Sequence, residues 1–199
     1  MKQAFIESTV RVVARNGLEK TSTKAIANEA GLNEAYIYKC FDSKEQLLAE
    51  TLMDGDEKLY MYLQGAMTVM RIESLSWKER AFLYWENDWK QTLIRKEETL
   101  FYIRYYYSAS CRKYAYKPHL ARFDPMIDSM KAAFRPGTNV SMLMHQVFDT
   151  KLMFALRVFF GELEDSEETT RWIFEQIYSF MAPHFLPEFS EKEDRKTAV

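Results

Sequence analysis

Apolar residues recur every three or four positions along nearly the whole chain, and where the recurrence stops it stops at helix punctuation. That period matches an α-helix turning ~100° per residue, whereas a strand would alternate with period two. Ala4, Ile6, Val10, Val13 and Ala14 give a first helix one apolar side, and Gly17 ends it. Short helices over about Thr23–Ala30 and Asn33–Cys40 come next. Ser43-Lys-Glu-Gln46 is a capping-box pattern opening a fourth helix that runs to about Met70, and Ser76-Trp-Lys-Glu79 opens a fifth. Glu97 to Lys113 reads as one continuous sixth helix with Pro118 at its exit. A seventh, near Leu120–Phe134, stops at Arg135-Pro-Gly137, and an eighth, Val140–Phe160, closes at Gly161. Asp165-Ser-Glu-Glu168 is an Asp-led cap for a ninth that Pro183 terminates. The expectation is an all-α chain of about nine helices, with residues 188–199 as a charged tail.

Composition narrows the function class. At 199 residues with 47% hydrophobic content the chain can bury a real core, and no segment approaches the ~20 apolar residues of a membrane span. The absence of a signal-like N-terminus points to the cytoplasm, with no membrane partner. Two cysteines, Cys40 and Cys111, have neither disulfide nor metal spacing. His119, His145 and His184 are scattered; His145 and Asp149 stand one turn apart but lack a third ligand. No glycine-rich phosphate loop occurs. The reading is therefore no enzyme, no metal and no cofactor.

The chemistry lies near the N-terminus. Two short helices around Gly31 have the shape of a helix-turn-helix, in which the second helix enters a DNA groove. On a helical wheel Ile37 and Phe41 share one side. Ala35 and Lys39 fall opposite, flanked by Tyr36 and Tyr38. Such a face suits a major groove: Ala allows close approach, Lys39 can donate to guanine or phosphate, and tyrosine hydroxyls bind phosphate. Ser22, Thr23 and Lys24 at the second helix start, Asn33 and Glu34 at the third, and Lys44 at the fourth complete the candidate DNA-binding set. Charge is sparse there, because residues 1–54 carry seven Lys/Arg against eight Asp/Glu. Affinity must come from placement rather than bulk field.

The run TSTKAIANEAGLNEAYIYKCFDSKEQLL resembles the DNA-binding segment of TetR/AcrR-type bacterial transcriptional repressors. The likeness rests on Thr21-Ser22, Ile26-Ala27, Ala30-Gly31, Leu32, Tyr38, Phe41 and Ser43-Lys44-Glu45, with Asn16-Gly17 before them. Two departures stand out. Asn33-Glu34-Ala35-Tyr36 replaces the family's frequent Ser-x-Gly-Thr, and Cys40 replaces a tyrosine. Base preference is therefore not inherited. The resemblance implies a helix-turn-helix domain over residues 1–45 and a helical effector-binding and dimerisation domain over 46–187. It also implies a ligand chamber in the fourth to seventh helices, a homodimer through the eighth and ninth, and a near-palindromic double-stranded operator.

Residue chemistry adds candidates. Trp85, Trp89, Phe101, Tyr105, Tyr106, Met130, Phe148 and Leu152 offer aromatic and pliant surface for a small amphipathic or aromatic effector. Leu156, Phe160, Ile173, Ile177 and Met181 extend the apolar faces of the last two helices beyond one stripe, as a subunit contact requires. Charges embedded in apolar runs (Arg104, Asp149, Lys151) either orient a ligand or pair and snorkel. The leading expectation is a ligand-released repressor. The alternatives are a helix-turn-helix architectural or partner-controlled protein without effector, and an interaction module that has lost DNA binding, for which Glu34 is the best argument.

Overall fold

A computed structural model describes residues 1–190. It contains α1 (Lys2–Asn16), α2 (Thr23–Glu29), α3 (Ile37–Cys40), α4 (Lys44–Ala66), α5 (Trp77–Ile94) and α6 (Lys96–Tyr106). Beyond these lie α7 (Ala109–Tyr114), α8 (Tyr116–Met130), α9 (Val140–Phe159), α10 (Glu167–Met181) and α11 (Pro187–Ser190). Four 3-10 turns join them, and the sole β-like pairing among the described residues is one bridge between Phe134 and Phe185. No helix among those residues is long and apolar enough to cross a membrane.

Capping chemistry explains the boundaries. Ser76 and Glu79 form the reciprocal box at α5: the Glu79 amide donates to Ser76 Oγ at 3.2 Å and the Ser76 amide to Glu79 Oε2 at 2.7 Å. At α10 the cap is Ser166 rather than Asp165, its Oγ accepting from the Thr169 amide at 3.1 Å. The continuous helix expected from Glu97 to Lys113 is in fact two. Ser108 accepts from the Cys111 amide at 3.1 Å and donates to Tyr105 O at 2.6 Å, so one hydroxyl closes α6 and caps α7. Pro118 lies in the first turn of α8, where a missing N–H costs no hydrogen bond. Of the expected tail, residues 188–190 belong to α11, whose Phe189 packs on Trp77 with ring centroids 4.7 Å apart. The rest of that tail lies outside the described residues.

The chain divides into two compact units: residues 1–61 with 95–123, and residues 62–94 with the chain from 124 onward. In the first, Phe5, Ile26, Ile37, Phe41 and Leu47 make a small core around the N-terminal helices. A second cluster joins Val13, Leu48 and Leu52 to Phe101, Tyr105 and Tyr106. Arg104, one of the embedded charges, donates to Val13 O and Ala14 O at 2.5 and 2.7 Å, satisfying free carbonyls at the end of α1. In the second unit, Trp85, Trp89 and Ala155 pack with Ile173, Phe174 and Ile177.

Candidate DNA-reading face and effector cavity

Ser22 caps α2, its Oγ accepting from the Ala25 amide at 3.1 Å. The chain then turns at Gly31, whose φ of +65° is one that side chains rarely adopt. Asn33 caps the next turn, its Oδ1 accepting from the Ala35 amide at 2.8 Å. This turn, Glu34–Tyr36, is 3-10 and leads directly into α3. Ile37 and Phe41 are buried, while Ala35, Tyr36, Tyr38 and Lys39 are exposed. The wheel assigned the same faces. Lys39 Nζ lies 4.7 Å from the Tyr36 ring centroid, a cation–π contact that steadies both side chains on the outward face.

Electrostatics here are more selective than the charge count implied. Glu29 holds Arg11 at 3.0 Å and Arg15 at 2.5 Å, so one carboxylate offsets half the charge of the two arginines of α1. The Arg15 and Arg11 guanidiniums keep the Glu29 carboxyl below its ordinary range. Glu34 is half-buried and accepts from the Thr23 hydroxyl at 2.5 Å, while Tyr38 OH stands 3.4 Å from the same Thr23 oxygen. Lys24, Lys39 and Lys44 have no carboxylate partner among the described residues. Glu34 thus ties α2 to the reading element, and the acid that argued against DNA binding has a structural use.

The predicted ligand residues do not converge on one place. Phe101, Tyr105 and Tyr106 belong to the core of the first unit, where burial pushes the Tyr105 phenol up to about 12. They fill space instead of lining it. In the second unit a cavity of about 370 Å³ opens, within the usual range for small-molecule sites. Trp85 and Met130 line it, two of the residues named from sequence. Trp89 stands behind Trp85, stacked at 5.7 Å, and Leu152 is buried outside the lining. Phe148 covers the Lys151 ammonium at 4.8 Å.

The walls come from several elements of that unit: Trp77 and Tyr84 on α5, Met144 and Val147 on α9, and Phe174 and Tyr178 on α10. Met67, Met70 and Met181 add soft surface. Polar atoms are few. Asp88 lines the cavity and binds Lys151 at 2.7 Å, and the Trp77 indole N–H is buried without a partner. Burial, then the nearby Asp88 carboxylate, holds the Tyr84 phenol far above its usual range. Tyr84 and Asp88 were missed from sequence, although Asp88 lies three residues after Trp85 on the same side of the helix.

The dimer candidates also divide. Ile173 and Ile177 are 0% and 3% exposed within the single chain, packed around Trp85 and Trp89, so they are internal and cannot form a subunit surface. Leu156 and Met181 are half-buried, and Phe160 is 66% exposed. Trp172 and Met153, on the same two helices, are 50% and 55% exposed. Phe154 packs edge-on against Trp172 at 5.5 Å, so α9 and α10 present one apolar patch.

Residues 5–51, which hold this reading element, match the family model described as bacterial regulatory proteins, tetR family. The N-terminal segment is thus similar to tetR-type DNA-binding domains. A curated relative, the HTH-type nicotine-responsive transcriptional repressor HdnoR of Paenarthrobacter nicotinovorans, is 36% identical over 86 residues. That match covers 39% of this chain and 44% of the relative, less than half of its length. A TetR family transcription regulator from Marinobacter aquaeolei VT8 superposes with a TM-score of 0.71 at 23% identity, covering 89% of this chain and 93% of that one. The transcriptional regulator FadR from Bacillus subtilis, solved in complex with stearoyl-CoA, gives 0.67 at 16% identity over 90% and 98%. These two establish the tetR-type fold for the chain as a whole.

Proposed function

We propose that this chain is a homodimeric tetR-family transcriptional repressor that leaves its operator when a small molecule occupies the cavity of the second unit. The observation that carries the reading is the outward face of residues 33–40, where Ala35, Tyr38 and Lys39 are exposed opposite a buried Ile37–Phe41 side. Lys39 reads a base edge, while Tyr38, Lys44 and the start of α2 hold phosphates. Glu34 orients the element through Thr23. Two such elements are brought to one operator by pairing of the exposed apolar surface of α9 and α10 around Phe154 and Trp172 across a two-fold axis, which matches a near-palindromic site. The cavity supports effector control over the architectural alternative, since a filled core would have favoured the latter. A nicotine-responsive transcriptional repressor among the relatives and a transcriptional regulator solved with stearoyl-CoA among the neighbours support a small-molecule effector. An effector weakens operator binding only by its differential affinity for the two states of the protein. Catalysis has no part in this scheme, and the protein works in the cytoplasm.

The test is selection of bound duplexes from a random pool, repeated with two variants. Lys39→Ala relaxes the selected sequence. Lys44→Ala weakens all duplexes alike and lowers the salt slope by about one. Unchanged site selection by Lys39→Ala, or no duplex bound at any salt concentration, would refute the reading.

A further inference from the structure

We infer that the cavity of the second unit selects a lipophilic organic cation, an amine attached to an aromatic or alkyl body, over carboxylates and acyl esters of similar size. The inference rests on the proposed effector control and adds the charge of the ligand. Asp88 is the one charged side chain in the described lining, and it is a carboxylate. Its Oδ2 takes the Lys151 ammonium at 2.7 Å, with the two side chains 12% and 6% exposed. Lys151 itself does not line the space. The pair is neutral in sum, but its negative end is the member that lines the cavity. A buried carboxylate ligand would meet that end without a compensating cation, at a large desolvation cost. An ammonium would meet an acceptor.

The remaining walls agree. Trp77, Trp85 and Tyr178 present aromatic rings, whose faces attract organic cations in a dry site. The field of Asp88 reaches the wall, since it contributes to holding the Tyr84 phenol in its neutral form. Tyr62, also under the influence of Asp88, is likewise held protonated, burial being the larger cause. Two other basic groups border the lining without being part of it, and both are engaged. Lys78 lies 5.3 Å from the Tyr178 ring centroid. Arg80 donates to Met70 O at 2.9 Å and lies 5.8 Å from the Trp77 ring, and Lys78 pairs with Glu175 at 3.0 Å.

Three probes of one shape separate the outcomes: 4-phenylbutylamine, 4-phenylbutanol and 4-phenylbutyrate, titrated into the full chain by tryptophan fluorescence and thermal shift. The expected order is amine first, by at least tenfold over the alcohol, with the butyrate weakest. In Asp88→Asn the preference inverts toward the butyrate, because the Lys151 ammonium loses its partner. In the double variant Asp88→Asn with Lys151→Met, which removes both charges and guards against misfolding of the single variant, the amine and alcohol bind equally. An alcohol or butyrate that binds wild type as well as the amine overturns the charge selection while the effector cavity stands. Failure of all three to bind overturns both. Operator release is scored separately by adding the amine to a duplex complex, so loss of the repressor reading does not masquerade as loss of the ligand class.

Discussion

Phe5, Ile26, Ile37 and Leu47 lose all solvent contact around the reading element, whereas the second unit keeps about 370 Å³ of apolar space among equally large side chains. Both regions are built from amphipathic helices, and both bury aromatic residues. They differ in what the interior must do. The first core fixes the angle of the short reading element, so volume errors there displace every reading side chain at once. The second tolerates a void and an unpartnered indole N–H, which cost stability unless something fills them. Tight packing marks the part with a fixed shape, and loose packing the part expected to respond.

Substitutions that alter volume test this contrast most directly. Phe41→Ala, removing a ring that is 2% exposed, is expected to cost about 3–5 kcal/mol in chemical denaturation and to abolish operator binding. A smaller change separates the regions further. Ala27→Leu, at a site 1% exposed in the first core, should destabilise by about 1–3 kcal/mol. Ala81→Leu on the cavity wall should instead stabilise by about 0.5–2 kcal/mol, raise the melting temperature and block probe binding. If both alanines respond alike, the contrast is wrong.

Local caps come next in size. Ser22→Ala removes the acceptor for the Ala25 amide and is expected to cost about 1 kcal/mol, with a matching loss of affinity for every duplex. The smallest effect is electrostatic. Because Arg15 and Arg11 lower the Glu29 pKa in the folded state, their contribution is complete above the ordinary carboxylate range and fades as pH falls through the folded value. A carbon-detected NMR titration should place the Glu29 midpoint below that of a free glutamate, and Arg15→Ala should move it upward. A midpoint at the ordinary value would remove the pairing from the account of how α1 meets α2.

The legibility of the sequence tracked the range of the interactions. Gly31, the Ser76–Glu79 box and the faces of Ile37, Lys39 and Tyr38 were all readable, because capping, turns and wheel positions depend on neighbours four residues away or fewer. Tyr105 and Tyr106 were assigned to a ligand and turned out to be core, since an aromatic side chain has the same pattern whether it lines a hole or fills one. Ser108 split a helix that periodicity alone made continuous, because a hydroxyl competes for backbone partners without disturbing the apolar period.

By itself the sequence determined an all-helical chain, the turn at Gly31 and which side of residues 33–40 faces outward. Only the tertiary structure decided that Glu34 is tied to Thr23, that Ile173 and Ile177 are interior, and that Asp88 meets Lys151 at the edge of a cavity. Asp88 and Lys151 are 63 residues apart, and no periodicity encodes a meeting at that separation. Such contacts exist only once helices distant in sequence have packed, and it is there that the cavity acquires its charge.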